Sequence, residues 1–134
     1  MKVGKEEILG MLAAVEWSLS QDEAVVLAGY EAVVRGWLAG LQDIEGVTVE
    51  RGYPSEAGQP HGRAIVRFDP RCPLSRDEVV AALWDQNPRV AVASVGADAI
   101  AMNPQTLEPG EDRLVLDALR GVLTRVPVPA VAPA

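Results

Sequence analysis

Few residues in this chain could do chemistry, and their scarcity narrows the choices. The only lysines are Lys2 and Lys5, the only histidine is His61 and the only cysteine is Cys72. Lys2 and Lys5 stand three residues apart at the head of a helical pattern, where they share a face and could hold a phosphate or carboxylate. The simpler reading of the pair is a solvated N-terminal turn. His61 sits in Gln59-Pro-His-Gly-Arg63, a polar loop in which an imidazole could act as general acid or base. No acid is tied to it by spacing and no second metal ligand lies nearby, so an exposed hairpin residue is the expectation. Cys72 lies between Arg71 and Pro73; the cation could lower its thiol pKa, but a lone cysteine is more often a small filler. Most carboxylates fall in first helical turns (Glu6, Glu7, Asp22, Glu23, Asp77, Glu78, Glu111, Asp112), where the helix dipole favours them. No metal cluster, glycine-rich phosphate loop or catalytic set is legible, and the catalytic, cofactor and metal positions are read as none.

The elements that would position these residues follow from periodicity. Ile8, Leu12, Val15 and Leu19 fall on one helical face, with a second apolar stripe through Leu9, Ala13 and Trp17. Trp17 is expected to contact either the core or another domain or subunit. Ser20-Gln-Asp-Glu23 reads as a capping box that opens a second helix to about Leu41, with Tyr30, Val34, Trp37 and Leu41 buried. The two helices could equally be one long helix kinked near Ser20. Val47 and Val49 alternate with polar residues as in a half-buried strand. Ala64, Val66 and Phe68 give a second strand facing the core, antiparallel to the first across the loop 53–62. Ser75-Arg-Asp-Glu78 is another capping box, starting a helix that buries Val79, Val80, Leu83 and Trp84. Strands are expected over 90–95 and 99–102 around a tight turn, then a last helix from Glu111 with Val115, Leu119 and Val122 inward. The order α, α, β, β, α, β, β, α predicts an α+β two-layer sandwich: a small three- or four-stranded, mostly antiparallel sheet with helices on one face, preceded by a long or kinked N-terminal helix. Residues 1–125 form the expected domain, with 1–41 as connecting helices, 47–124 as the sandwich and 126–134 as a proline-rich flexible tail.

Composition excludes several classes. Nineteen acids against 12 bases give a formal charge of -7, which argues against nucleic acid as a partner. No uninterrupted apolar run reaches the roughly 18 residues of a membrane span, so no membrane partner is expected. One cysteine allows no internal disulfide, in keeping with a cytoplasmic location. With 134 residues, almost half of them hydrophobic, the chain can bury a core of its own.

Two segments carry a family likeness. Met1-Lys-Val-Gly-Lys-Glu-Glu-Ile-Leu-Gly-Met-Leu-Ala-Ala-Val-Glu16 and Ile100-Ala-Met-Asn-Pro-Gln-Thr-Leu-Glu-Pro-Gly-Glu111 resemble segments of the selenocysteine-synthase-like pyridoxal-phosphate enzymes. That family includes L-seryl-tRNA(Sec) selenium transferase and D-glucosaminate-6-phosphate ammonia-lyase. The resemblance runs from Met1 to about Leu123. It implies the C-terminal small domain of a fold-type-I enzyme, closing the active site of a homo-oligomer, with pyridoxal phosphate held by a missing large domain. It also implies that Lys2 and Lys5 lie near the active-site mouth and bind an anionic substrate group. An Arg is usual where Lys2 stands and an Asp where Gly4 stands in the selenium transferases. That departure favours the lyase-like branch, acting on an amino-acid-like or amino-sugar-acid substrate. The cofactor needs a Schiff-base lysine, and no lysine follows Lys5, so no cofactor and no catalysis are expected of this chain alone. The alternative reading is a free-standing, non-enzymatic interaction or oligomerisation module of the same fold.

Overall fold

In the computed structural model, residues 2–124 are described, and the tail expected at 126–134 lies outside them. The elements run α1 (Lys5–Ser20), α2 (Glu23–Leu41), β1 (Val47–Gly52), β2 (Arg63–Phe68), α3 (Arg76–Asp85), β3 (Ala93–Val95), β4 (Ala99–Met102) and α4 (Glu111–Leu123), with a short 3-10 turn at Glu56–Gly58. This is the expected order.

The sheet is antiparallel throughout, in spatial order β1-β2-β4-β3. Registers Val49↔Val66 and Val66↔Ile100 line up one apolar row across three strands. Ala64, Val66, Phe68, Ile100 and Met102 face the helices and meet Val34, Trp37 and Leu41 of α2, Val79 and Leu83 of α3, and Leu119, Val122 and Leu123 of α4. This single cluster is the core, and burying it drives the fold. Trp37 also donates its indole N–H to the Asp112 carbonyl oxygen at 2.9 Å, tying α2 to the first turn of α4. The other sheet face carries a smaller cluster of Ile65, Ala99 and Ala101. The fold is therefore α+β in two layers, with α1 and α2 preceding the sheet. Of the described helices, α2 is the one long and apolar enough to cross a membrane, and its Val34, Trp37 and Leu41 are spent on the core.

Local details correct the sequence reading in three places. Ser20 does not cap α2: its hydroxyl donates to the Trp17 carbonyl at 2.7 Å and closes α1, while the Asp22 carboxylate accepts from the Ala24 and Val25 amides. Two separate helices result. The second capping box does form, with Glu78 reaching back to the Ser75 amide at 2.8 Å. The strand expected over 90–95 shrinks to Ala93–Val95, because the Val90 N–H is spent on the Leu83 carbonyl at the end of α3. Trp84 is half exposed, its ring carrying the Arg89 guanidinium 5.3 Å from its centroid instead of joining the core.

The largest correction concerns α1. None of its residues is buried, and Ile8, Leu12, Val15 and Leu19, expected as a buried stripe, are all exposed. Trp17 is likewise exposed, at 67%. The apolar pattern is real, but nothing among the described residues covers it.

Candidate functional site

The most highly organised polar cluster joins α2, the end of β1 and the loop before β2. Glu31 lies three residues before Val34, at the edge of the buried face of α2. Arg51 points to it from β1, donating from Nε at 2.8 Å and from Nη2 at 2.6 Å. The amide of Gly62 donates to the same carboxylate at 2.6 Å. Arg51's hydrogen bond, aided by the Gly62 amide and opposed by desolvation, lowers the Glu31 carboxyl from its ordinary 4.5 to about 2. The Tyr53 ring lies under the guanidinium at 4.8 Å.

His61 belongs to this cluster, and the expectation of an exposed hairpin residue is wrong: it is 1% exposed. The loop folds back over α2, the Tyr30 ring stands 4.8 Å from the imidazole, and Glu31 anchors the next residue. His61 Nδ1 lies 2.9 Å from the Gly62 carbonyl oxygen, which can only accept, so Nδ1 is the donor; the buried Nε2 has no protein partner. Ser55 Oγ in the same loop is also buried without a partner. The charges of Glu31 and Arg51 balance, and neither they nor His61 line a described cleft. It is built to fix the loop 53–62 on α2. Sequence reasoning missed Glu31 and Arg51; the signal was a carboxylate on the edge of a buried stripe, whose partner could be known only once β1 was placed.

A cleft of about 580 Å³, the largest of those described, lies beside β1, β2 and the start of α3 and is lined by Thr48, Arg67, Asp69, Cys72, Ser75 and Arg76 among others. Its charges are already matched. Arg67 pairs with Asp98 at 2.8 Å and Glu50 at 3.5 Å, and Arg76 pairs with Asp77 at 2.7 Å. Arg71, the cation next to Cys72, is committed to Asp69 at 2.6 Å, and that bond holds the Asp69 carboxyl below its usual range.

Lys2 and Lys5 are both exposed at the head of α1, neither forms an ion pair among the described residues, and neither lines a described cleft. The Gly4 amide there is taken by Glu7 Oε2 at 2.6 Å, and Glu6 and Glu7 offset the two positive charges. The structure does not bring Lys2 or Lys5 together with His61 or Cys72 in any described cleft or contact. Among the described residues no group of three or more potential metal ligands occurs. What remains unsatisfied is the apolar surface of α1.

Comparison with family models and with the curated proteins finds no match to this sequence. Among solved structures, the fold is similar to the one described as D-glucosaminate-6-phosphate ammonia-lyase, with a TM-score of 0.71 at 24% sequence identity. The likeness covers 92% of this chain and 33% of that one, so this chain spans about a third of its neighbour's length. At that identity the likeness establishes the fold, which is that of a segment of the larger lyase.

Proposed function

We propose that this chain is the C-terminal small domain of a pyridoxal-phosphate-dependent lyase or transferase acting on an amino-acid-like or amino-sugar-acid substrate. It closes the active site and supports assembly while another segment holds the cofactor. The observation that carries this reading is a near-complete domain match to one third of an ammonia-lyase chain, combined with a leading helix whose apolar surface this domain leaves bare. Such a helix fits a joint between domains.

The residues here do not fit the cofactor itself. A Schiff-base lysine is housed in a shielded site, whereas Lys2 and Lys5 both stand in solvent and no described cleft has a lysine in its lining. No chemical step is therefore assigned to this chain. In the complete enzyme Lys2 and Lys5 would face the anionic end of the substrate, neither holding an ion pair among the described residues.

The test combines this chain with a cofactor-binding large domain of the ammonia-lyase kind. Cofactor-dependent ammonia release from a phosphorylated amino-sugar acid is expected to rise at least about tenfold on adding the chain, and Lys2→Ala with Lys5→Ala is expected to raise KM for that substrate. No change in ammonia release removes the reading. The exposed α1 also favours a second reading, a free-standing interaction module, which predicts a stable assembly that never takes up cofactor.

A further inference from the structure

The one histidine of the chain lies in the loop between β1 and β2 and is 1% exposed. Its Nδ1 donates to the Gly62 carbonyl at 2.9 Å, and its Nε2 is buried with no partner among the described residues. The closed loop therefore suits a neutral imidazole. A second proton would go to Nε2 and put a positive charge in the interior with nothing to accept it.

The groups around the ring do not supply that acceptor. From α2, Tyr30 presents its ring at 4.8 Å, and its hydroxyl already donates to the Gln105 carbonyl. Glu31, next along α2, would attract the proton, but Arg51 of β1 holds its carboxylate with two hydrogen bonds and the Gly62 amide adds a third. Arg51 thereby offsets the negative charge nearest the ring. In the loop itself, Glu56 is paired with Arg63 of β2 at 3.7 Å, Tyr53 lies under Arg51, and Ser55 Oγ is buried without a partner.

Little else fastens the loop. The amides of Ser55, Gly58, Gln59 and His61 bond within it, and the Gly62 amide on Glu31 is its described hydrogen bond to α2. Ala57 has φ +53°, where a Cβ is crowded, so the closed loop carries backbone strain that opening relieves.

We propose that His61 is a proton-operated latch: its neutral ring keeps the loop 53–62 shut on α2, and a second proton at Nε2 releases the loop without unfolding the sandwich. The released ring is hydrated and can charge, so the open form binds more protons than the closed one. The closed form therefore loses ground as pH falls through the range in which a solvated imidazole charges, about pH 6 to 7. Glu31 stays ionised throughout, because its carboxyl titrates at about 2, so the latch and the ion pair respond in separate windows. Release would uncover Tyr30, a wall of two clefts on α2 of about 520 and 280 Å³. The latch does not depend on the cofactor reading.

The test uses the full chain labelled with nitrogen-15, in which His61 gives the only imidazole signal. Its ring nitrogens are followed from about pH 7.5 to about pH 5, together with amide hydrogen exchange corrected for the intrinsic rate at each pH. Proton uptake by the ring is expected to coincide with a loss of protection of about tenfold or more at the Gly58, His61 and Gly62 amides, while the amides of β2 and β4 keep theirs. His61→Gln takes no proton there, and its loop protection is expected to stay constant across the range. A ring that charges while the loop stays protected, a ring that takes up no proton by the end of the range, loop opening that persists in His61→Gln, or loss of protection in β2 and β4 in the same window would each overturn the proposal. The readings on the unsubstituted chain decide it even if His61→Gln fails to fold.

Discussion

Arg51 at the end of β1 grips Glu31 on α2 with two parallel hydrogen bonds, of 2.8 and 2.6 Å, and the carboxylate also receives the Gly62 amide. One side chain thus ties together a helix, a strand and the loop that carries the buried His61. A single acid serving three elements makes the contact cooperative, because losing it frees an amide and a guanidinium together.

This relationship sets an acid response. The folded Glu31 carboxyl lies at about 2, below its ordinary 4.5. A depressed folded value means the contribution to stability is complete above pH 4.5 and fades as pH falls towards 2. Thermal unfolding of the native chain should therefore steepen in that window relative to Glu31→Gln, which lacks the titrating group and should already be less stable at neutral pH. Parallel profiles for the two chains would remove Glu31 from this role.

Trp37 links packing and polarity in one residue. It is 2% exposed, and its indole N–H is held by the Asp112 carbonyl. Trp37→Phe keeps most of the apolar volume but leaves that carbonyl unpaired and opens a small void. A loss of about 1–3 kcal/mol is expected from urea titration, with α4 more exposed to hydrogen exchange. A loss below about 0.5 kcal/mol would mean that α2 and α4 are held together elsewhere.

Two glycines should respond in opposite directions. Gly46, before β1, has φ +76°, and a Cβ there would lie 2.3 Å from the Cys72 amide nitrogen. Backbone cannot give way as a flexible side chain does, so Gly46→Ala should cost at least about 2 kcal/mol or prevent folding. Gly29, exposed inside α2, has open space on all sides, and a Cβ added there would meet nothing within 4 Å. Gly29→Ala should stabilise by about 0.5–1 kcal/mol. The same chemical melting series reads both signs, and equal effects would contradict the geometry.

Much of the fold was legible because its signals are local. Periodicity at Val34, Trp37 and Leu41, alternation at Ala64, Val66 and Phe68, and the Ser75–Glu78 box each name an element without knowledge of its neighbours. The failures share a cause. Glu31 with Arg51, the burial of His61, and the diversion of the Val90 amide to Leu83 all depend on residues brought together by tertiary packing, which no window of sequence contains. The α1 stripe is a subtler case. Its pattern announces an apolar face, but periodicity alone does not say whether anything in the same domain covers it, and here nothing among the described residues does. Lys2 and Lys5 were likewise visible as a pair, yet their standing outside every described cleft became plain only once the chain was folded.

If α1 contributes nothing to its own domain, removing it should cost the domain little. The core of Val34, Trp37, Leu83, Ile100 and Leu119 draws no residue from α1, and Asp22 still caps α2 when residues 2–20 are deleted. The shortened chain should melt within about 3 °C of the full-length chain. It should also be more soluble, having lost most of its exposed apolar surface. A fall of more than about 8 °C would show that α1 stabilises the sandwich directly, and its bare face would then have to be reinterpreted as part of this domain's own packing.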